Sequence, residues 1–288
     1  MQPILPIAAN PLKKYFRQPK IYIKLPSSGN FYKPGSITIS ETGEYPVFPM
    51  TAKDELMMKT PDALLNGQAT VDVIQSCVPN IKNAWNIPSI DLDAILIAIR
   101  IATYGEKLDV TTLIPGINDS RTFEIDLRVV LDQLINAVYE PEIRIDDNFS
   151  IMIRPLSYLE FTSSAIKTLE EQKIIRLVND DSIDEGEKLR MFAESFAKLT
   201  SHTVSTVSIS LEKVVTPDGI VDNPMFIKEF IDNADKSFFE LVVKHLDDQK
   251  KKFTIKPFKA ITTEEDRMQG APDEIEVPIV LDGSSFFD

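Results

Sequence analysis

The chain has 288 residues, 43% hydrophobic and 26% charged, with a formal net charge of −13, values of a soluble globular chain long enough for a sizeable core and two lobes. One cysteine, Cys77, excludes an internal disulfide and a cysteine-based zinc finger, while two histidines, His202 and His245, leave little for histidine catalysis or metal ligation. The best apolar run, Ile95 to Ala102, is broken by Arg100 and falls far short of the ~18 residues that argue for a membrane-spanning helix.

Lys13, Lys14, Arg17, Lys20, Lys24 and Lys33 all precede the first acid, Glu41, so residues 1–40 carry +6 and the remainder −19. An acidic body argues against non-specific nucleic-acid binding. A basic arm either docks on an acidic protein partner or crosses its own acidic body. The N-terminus is apolar before it is basic, the reverse of a secretory signal, and Pro3, Pro6 and Pro11 interrupt it. The expectation is an unprocessed chain made in the cytoplasm, with an extended arm over residues 1–19.

A half-buried strand is predicted from Lys20 to Leu25, where Ile21, Ile23 and Leu25 alternate with polar residues. Pro26 ends it, Ser27-Ser28-Gly29-Asn30 turns, and a second strand is predicted through Ile37 and Ile39. PVFP (Pro46 to Pro49) reads as a short edge segment.

Helices follow. Thr51 with Asp54 three residues on resembles a capping box opening the first. Thr60 as N-cap, Pro61 in the first turn and Gly67 as the left-handed exit predict a short helix between them. Val71, Ile74 and Val78 predict another, and Ser89 is expected to cap a buried central helix ended by Gly105.

A strand pair is predicted around Pro115-Gly116, then an amphipathic helix, then a hairpin that pairs Ile143 and Ile145 with Ile151 and Ile153. After Pro155 the pattern predicts a long amphipathic helix and a second one running through LEKVV (Leu211 to Val215). Pro217-Asp218-Gly219 is a turn. One broken helix or two follow it, then a tail with a possible strand in EVPIVLD. The architecture expected is α+β. Residues 1–19 form an arm, 20–155 a mixed α+β domain with a small N-terminal β element, 156–252 a helical lobe and 253–288 an extended tail.

Cys77 lies in an apolar stretch and reads as a buried free cysteine rather than a nucleophile. His202 reads as a polar helix position, and His245 as a cation near a helix end. The acidic cluster Asp180 to Glu187 lacks the alternating ligands of a calcium loop and reads as a solvated helix start; Thr262 to Arg267 is a second acidic cluster. No glycine-rich phosphate loop is written, so no catalytic, cofactor or metal residue is expected. Carboxylates at Glu160, Glu170 and Glu194 are spaced as helix surface, which leaves a carboxylate hydrolase as the remote alternative. The apolar ends, with Ile4, Leu5 and Ile7 at one and Phe286 and Phe287 at the other, are partner-contact candidates together with Lys13 and Lys14.

Two stretches carry a family resemblance: KLPSSGNFYKPG, and MTAKDELMMKTPDALLNGQATVDVIQSCVPNI after it. They resemble the signature region of the T4-type phage baseplate hub family over Lys20 to about Asn83. The matching positions are Leu25, Pro26, Ser27, Ser28 and Gly29, then Lys59, Thr60, Pro61, Asp62, Leu64, Leu65 and Gly67, with Cys77 at the closing stop. The resemblance implies a structural, non-enzymatic protein of a contractile tail, located in the virion baseplate. It would act through contacts with other tail and baseplate proteins in a hetero-oligomeric assembly. A transient assembly chaperone absent from the finished particle is the alternative.

Overall fold

A computed structural model describes residues 10–59, 67–117, 119–177, 184–281 and 286. Ile4, Leu5, Ile7, Thr60, Pro61, Asp62, Leu64, Leu65 and Phe287 lie outside the described residues, and so does the helix expected between Thr60 and Gly67. Helices and antiparallel sheets together make the fold α+β. No helix among the described residues is long and apolar enough to cross a membrane.

The first core is built on a helix that water barely touches. β1 (Ile21–Ile23) pairs with β2 (Tyr45–Val47), so the strand after the arm is present and PVFP contributes its edge partner. The second strand predicted through Ile39 is not formed: Ile37 makes one isolated bridge to Ile81, and Thr38 N donates to Asn80 O. Pro34-Gly35 supplies a turn but leaves this segment no neighbouring strand.

α1 (Ala52–Met58) opens on the expected capping box of Thr51 and Asp54. α2 (Gln68–Cys77) starts from Gly67, whose φ is 77°. α3 (Ser89–Tyr104) is the central helix, buried nearly all round from Ile90 to Ala102. Its N-cap is Pro88, one residue before the expected Ser89, and it has no side-chain cap. Gly105, at φ 96°, ends it as expected. Arg100 is buried in this helix with its guanidinium 4.7 Å from the Tyr104 ring.

β3 (Lys107–Leu113) and β4 (Ser120–Asp126) form the predicted pair, followed by α4 (Leu127–Ile135), which turns Leu127, Leu131 and Leu134 inward.

The second core surrounds a four-stranded antiparallel sheet in the order β5-β6-β7-β8. β5 (Glu142–Arg144) and β6 (Ser150–Ile153) are the expected hairpin, with Ile143 opposite Ile151. α5 (Tyr158–Leu177) and α6 (Glu185–Ser210) follow. Asp184 caps α6, so the described end of the acidic cluster, Asp184 to Glu187, begins a helix, while residues 180–183 lie outside the described residues.

The helix predicted through LEKVV stops at Ser210. Leu211–Thr216 is β7, which pairs with β6 by placing Val214 opposite Ile151. The β-branched residues that weaken a helix there suit a strand once β6 supplies a partner. β8 (Gly219–Val221) returns after the turn at Pro217 and Asp218. The next segment is two helices, α7 (Pro224–Asp232) and α8 (Lys236–Lys252), with separate caps at Asn223 and Asp235.

The tail is a working part of the first core. β9 (Phe258–Ile261) pairs with β10 (Glu274–Val277) across α9 (Glu264–Met268). The strand in the tail therefore begins two residues before the predicted EVPIVLD. Ala260, Ile275, Val277 and Phe286 join the buried residues of the N-terminal half. A Cβ added at Gly116 would lie 2.5 Å from Gly270 O, so the β3–β4 turn and the tail touch backbone to backbone.

Candidate functional site

Among the described motif residues, the Leu25–Gly29 loop and Gly67 lie where the first core meets the elements of the second. Ser27 N donates to Asp91 Oδ1 at 2.7 Å, Ser27 Oγ to Oδ2 at 2.5 Å, and Tyr32 Oη to Oδ2 at 3.0 Å. Asp91 is fully buried in the first turn of α3. Burial pushes its carboxyl up to about 6, opposed by the hydrogen bonds from Ser27 and Tyr32. Burial is also the main cause that raises the Tyr32 phenol, followed by the Asp91 charge.

This anchor holds a loop of unusual backbone. Ser28, Gly29 and Phe31 all have positive φ, at 54°, 81° and 67°, a conformation uncommon for side chains other than glycine. Leu25 is buried before the turn, and Pro26 leads into it. The loop sets the Phe31 ring edge-on to Tyr139 at 5.3 Å, and Tyr139 lies 6.1 Å from Phe253. LPSSG is therefore a bracket, with Asp91 behind it and the second core's aromatic residues ahead.

Gly67 serves the same junction. A Cβ there would meet Tyr158 Oη at 3.0 Å and the Trp85 ring at 3.2 Å. Trp85 and Tyr158 stack at 5.5 Å, and backbone bonds Ser89 N to Leu156 O and Tyr158 N to Ile87 O run alongside. Lys59 is the C-cap of α1. Cys77 is buried, and burial followed by Asp54 pushes its thiol up to about 12, consistent with an inert core cysteine.

The arm crosses its own body at Arg17. Its Nη2 donates to Ser76 O and Ser76 Oγ, both at 2.7 Å, and its Nη1 to Asp54 Oδ2 at 3.2 Å and to Pro49 O. Beyond that clamp, Lys13 and Lys14 sit on a short 3-10 turn (Pro11–Tyr15) with no buried residue. Leu12, Tyr15 and Phe16 are each more than half exposed.

Other expected positions take structural roles. His202 Nε2 lies 3.1 Å from Ser164 Oγ. His245 lies within α8 rather than near its end, with Nε2 2.9 Å from Glu140 O. Phe286 is 1% exposed and belongs to this chain's own core, contrary to the expectation that it meets a partner. Burial would raise Glu160, but the two 2.8 Å bonds from Arg154 and the one from Ser157 N win and hold it at about 2. Glu194 ion-pairs with Arg190 on the surface of α6. Thr263 and Asp266 form a second capping box, which assigns the acidic cluster around them to helix initiation.

The helix pair α5–α6 is apolar on the wrong side. Ser164, His202 and Thr206 meet in its seam, and Ser195 is buried. Outside, Leu189 is 71% exposed, Phe196 60% and Phe192 43%, with the two phenyl rings stacked at 6.2 Å. Leu159, Phe161, Ile166 and Leu169 are exposed on α5, so α5 is not the amphipathic helix expected. The spacing of 189, 192 and 196 makes one stripe on α6, of a kind that marks interaction surfaces when it stays uncovered.

The model of the T4 bacteriophage base plate protein family matches residues 18–268. The chain belongs to that family. Membership makes it a structural baseplate protein of a phage tail, whose partners are other baseplate proteins. The match runs far beyond residue 83, so the helical half and the start of the tail, as far as residue 268, are family structure, not an addition to a shorter signature. Searches of the curated proteins and of the solved structures each return no match.

Sequence reasoning missed Asp91, Arg17 and the Thr263 cap. A carboxylate inside a continuous apolar helix was the available sign for Asp91.

Proposed function

We propose that this baseplate protein is a structural component of the hub of a contractile tail. It acts by protein–protein contacts during tail assembly, within a hetero-oligomer and without catalysing a reaction. The observation that carries the reading is the inverted polarity of α5–α6: hydrogen-bonding groups in the seam, and Leu189, Phe192 and Phe196 facing water. Fully burying side chains of this kind is worth about 1.5–3 kcal/mol each, which the isolated chain forgoes and a neighbour recovers. The motif residues contribute by holding the two cores in one relative position, through Asp91 behind the loop and Trp85–Tyr158 beside Gly67.

The test is the double variant Phe192→Ser, Phe196→Ser, which removes exposed apolar area without touching the seam. The expected result is a chain that folds normally but is lost from purified baseplates. Incorporation at the wild-type level by a folded variant would refute the reading.

A further inference from the structure

Between the start of α3 and the helices α5, α6 and α8 lies a cleft of about 470 Å³. Leu92, Phe161, Val243, Leu246 and Phe253 give it apolar walls. The carboxyl of Asp93 lines it with no hydrogen bond or ion pair among the described residues, and burial alone pushes that carboxyl up to about 6. The other charged and polar groups there do not neutralise it. Arg154 is committed to Glu160, His202 to Ser164, and Asp247 and Lys250 form a rim of opposite charges. A lone carboxylate within apolar walls is a site for a cation carried on an apolar segment.

The chain displays such a segment. Lys13 and Lys14 make no ion pair among the described residues, and Lys14 Nζ lies 4.9 Å from the Tyr15 ring. Leu12, Tyr15 and Phe16 are exposed around them, and Arg17 pins the segment at its C-terminal end to Ser76 and Asp54. No acid precedes Glu41, whereas the rest of the chain carries a large negative charge. Cation and carboxylate, each unpaired within one molecule, complement one another between two.

We propose that residues 10–16 of one copy dock in the Asp93 cleft of a second copy. An ammonium of Lys13 or Lys14 pairs with Asp93, and Leu12 and Phe16 cover the apolar walls. The contact is heterologous, arm to cleft, and repeats into a ring where the rotation closes. It is separate from the contact made by the α6 stripe.

The experiment titrates a labelled synthetic peptide of residues 10–19 (NPLKKYFRQP) with the full-length protein and follows fluorescence anisotropy. Saturable binding is expected, weakening with salt, and Asp93→Asn should weaken it at least about tenfold. A peptide with both lysines changed to glutamate should not bind. In parallel, sedimentation of the wild-type chain across a concentration series should show self-association that Lys13→Glu, Lys14→Glu abolishes. That variant sits on an exposed turn and carries the test should Asp93→Asn fail to fold. No peptide binding, binding unchanged by Asp93→Asn, or a wild-type chain monomeric throughout would overturn the proposal. Presence of the chain in particles is scored separately, so loss of this contact leaves the baseplate role standing.

Discussion

Asp91 gives the sharpest quantitative prediction, because its carboxyl is fully buried and every bond to it is known. Its folded pKa lies near 6 against an ordinary value of 3.8. The folded state therefore binds this proton more tightly than the unfolded state. The stabilisation is complete below the unfolded value and is lost as pH rises through the folded one. A rise of roughly two pH units at about 1.4 kcal/mol each amounts to ~3 kcal/mol. Asp91→Asn keeps one oxygen to accept from Ser27 N, and its amide can donate to the Ser27 and Tyr32 hydroxyls, while the titrating charge is gone. Urea unfolding of both proteins at steps from pH 4 to 7.5 is the assay. The variant should gain stability relative to wild type by about 2–3 kcal/mol across that window, with most of the change between pH 4 and 6. A constant difference would refute the account of the buried carboxylate. So would a difference of the opposite sign, because it would mean that the hydrogen bonds outweigh burial.

Arg17→Ala removes the clamp on Ser76, Pro49 and Asp54, and should cost about 2–3 kcal/mol and speed tryptic cleavage at Lys13, Lys14 and Lys20. Arg17→Lys should rescue little, since one ammonium cannot span those partners. Phe286→Ala empties a site in the first core and should lower stability by about 3–5 kcal/mol in thermal or urea unfolding. An unchanged midpoint would return Phe286 to the role of a partner contact.

What the sequence disclosed was mostly local. The Thr51–Asp54 box, the glycine stop at Gly105, and the Ile143–Ile151 hairpin depend on neighbours a few residues away. What it hid depends on distant partners. LEKVV became a strand because β6 lies beside it, some sixty residues earlier in the chain. Thr263 and Asp266 have the spacing of Thr51 and Asp54 but sit among other acids, which suggested a charge cluster rather than a cap. Phe286 looked like an exposed end because nothing nearby indicates that the tail folds back on the first core.

The site was legible as residues and not as geometry. LPSSG and Gly67 stood out, yet their purpose rests on Asp91, Tyr139, Trp85 and Tyr158. The polar seam of α5–α6 was hidden for a related reason. Apolar residues at helical spacing read as a core face, and only the fold shows that Phe192 and Phe196 point away from it.

The most direct measurement is quantitative mass spectrometry of purified particles and of isolated baseplates. The account predicts this chain at a fixed ratio to the other baseplate proteins in both. Its complete absence from finished particles, with presence in assembly intermediates, would contradict a structural hub role and mark the chain as an assembly chaperone.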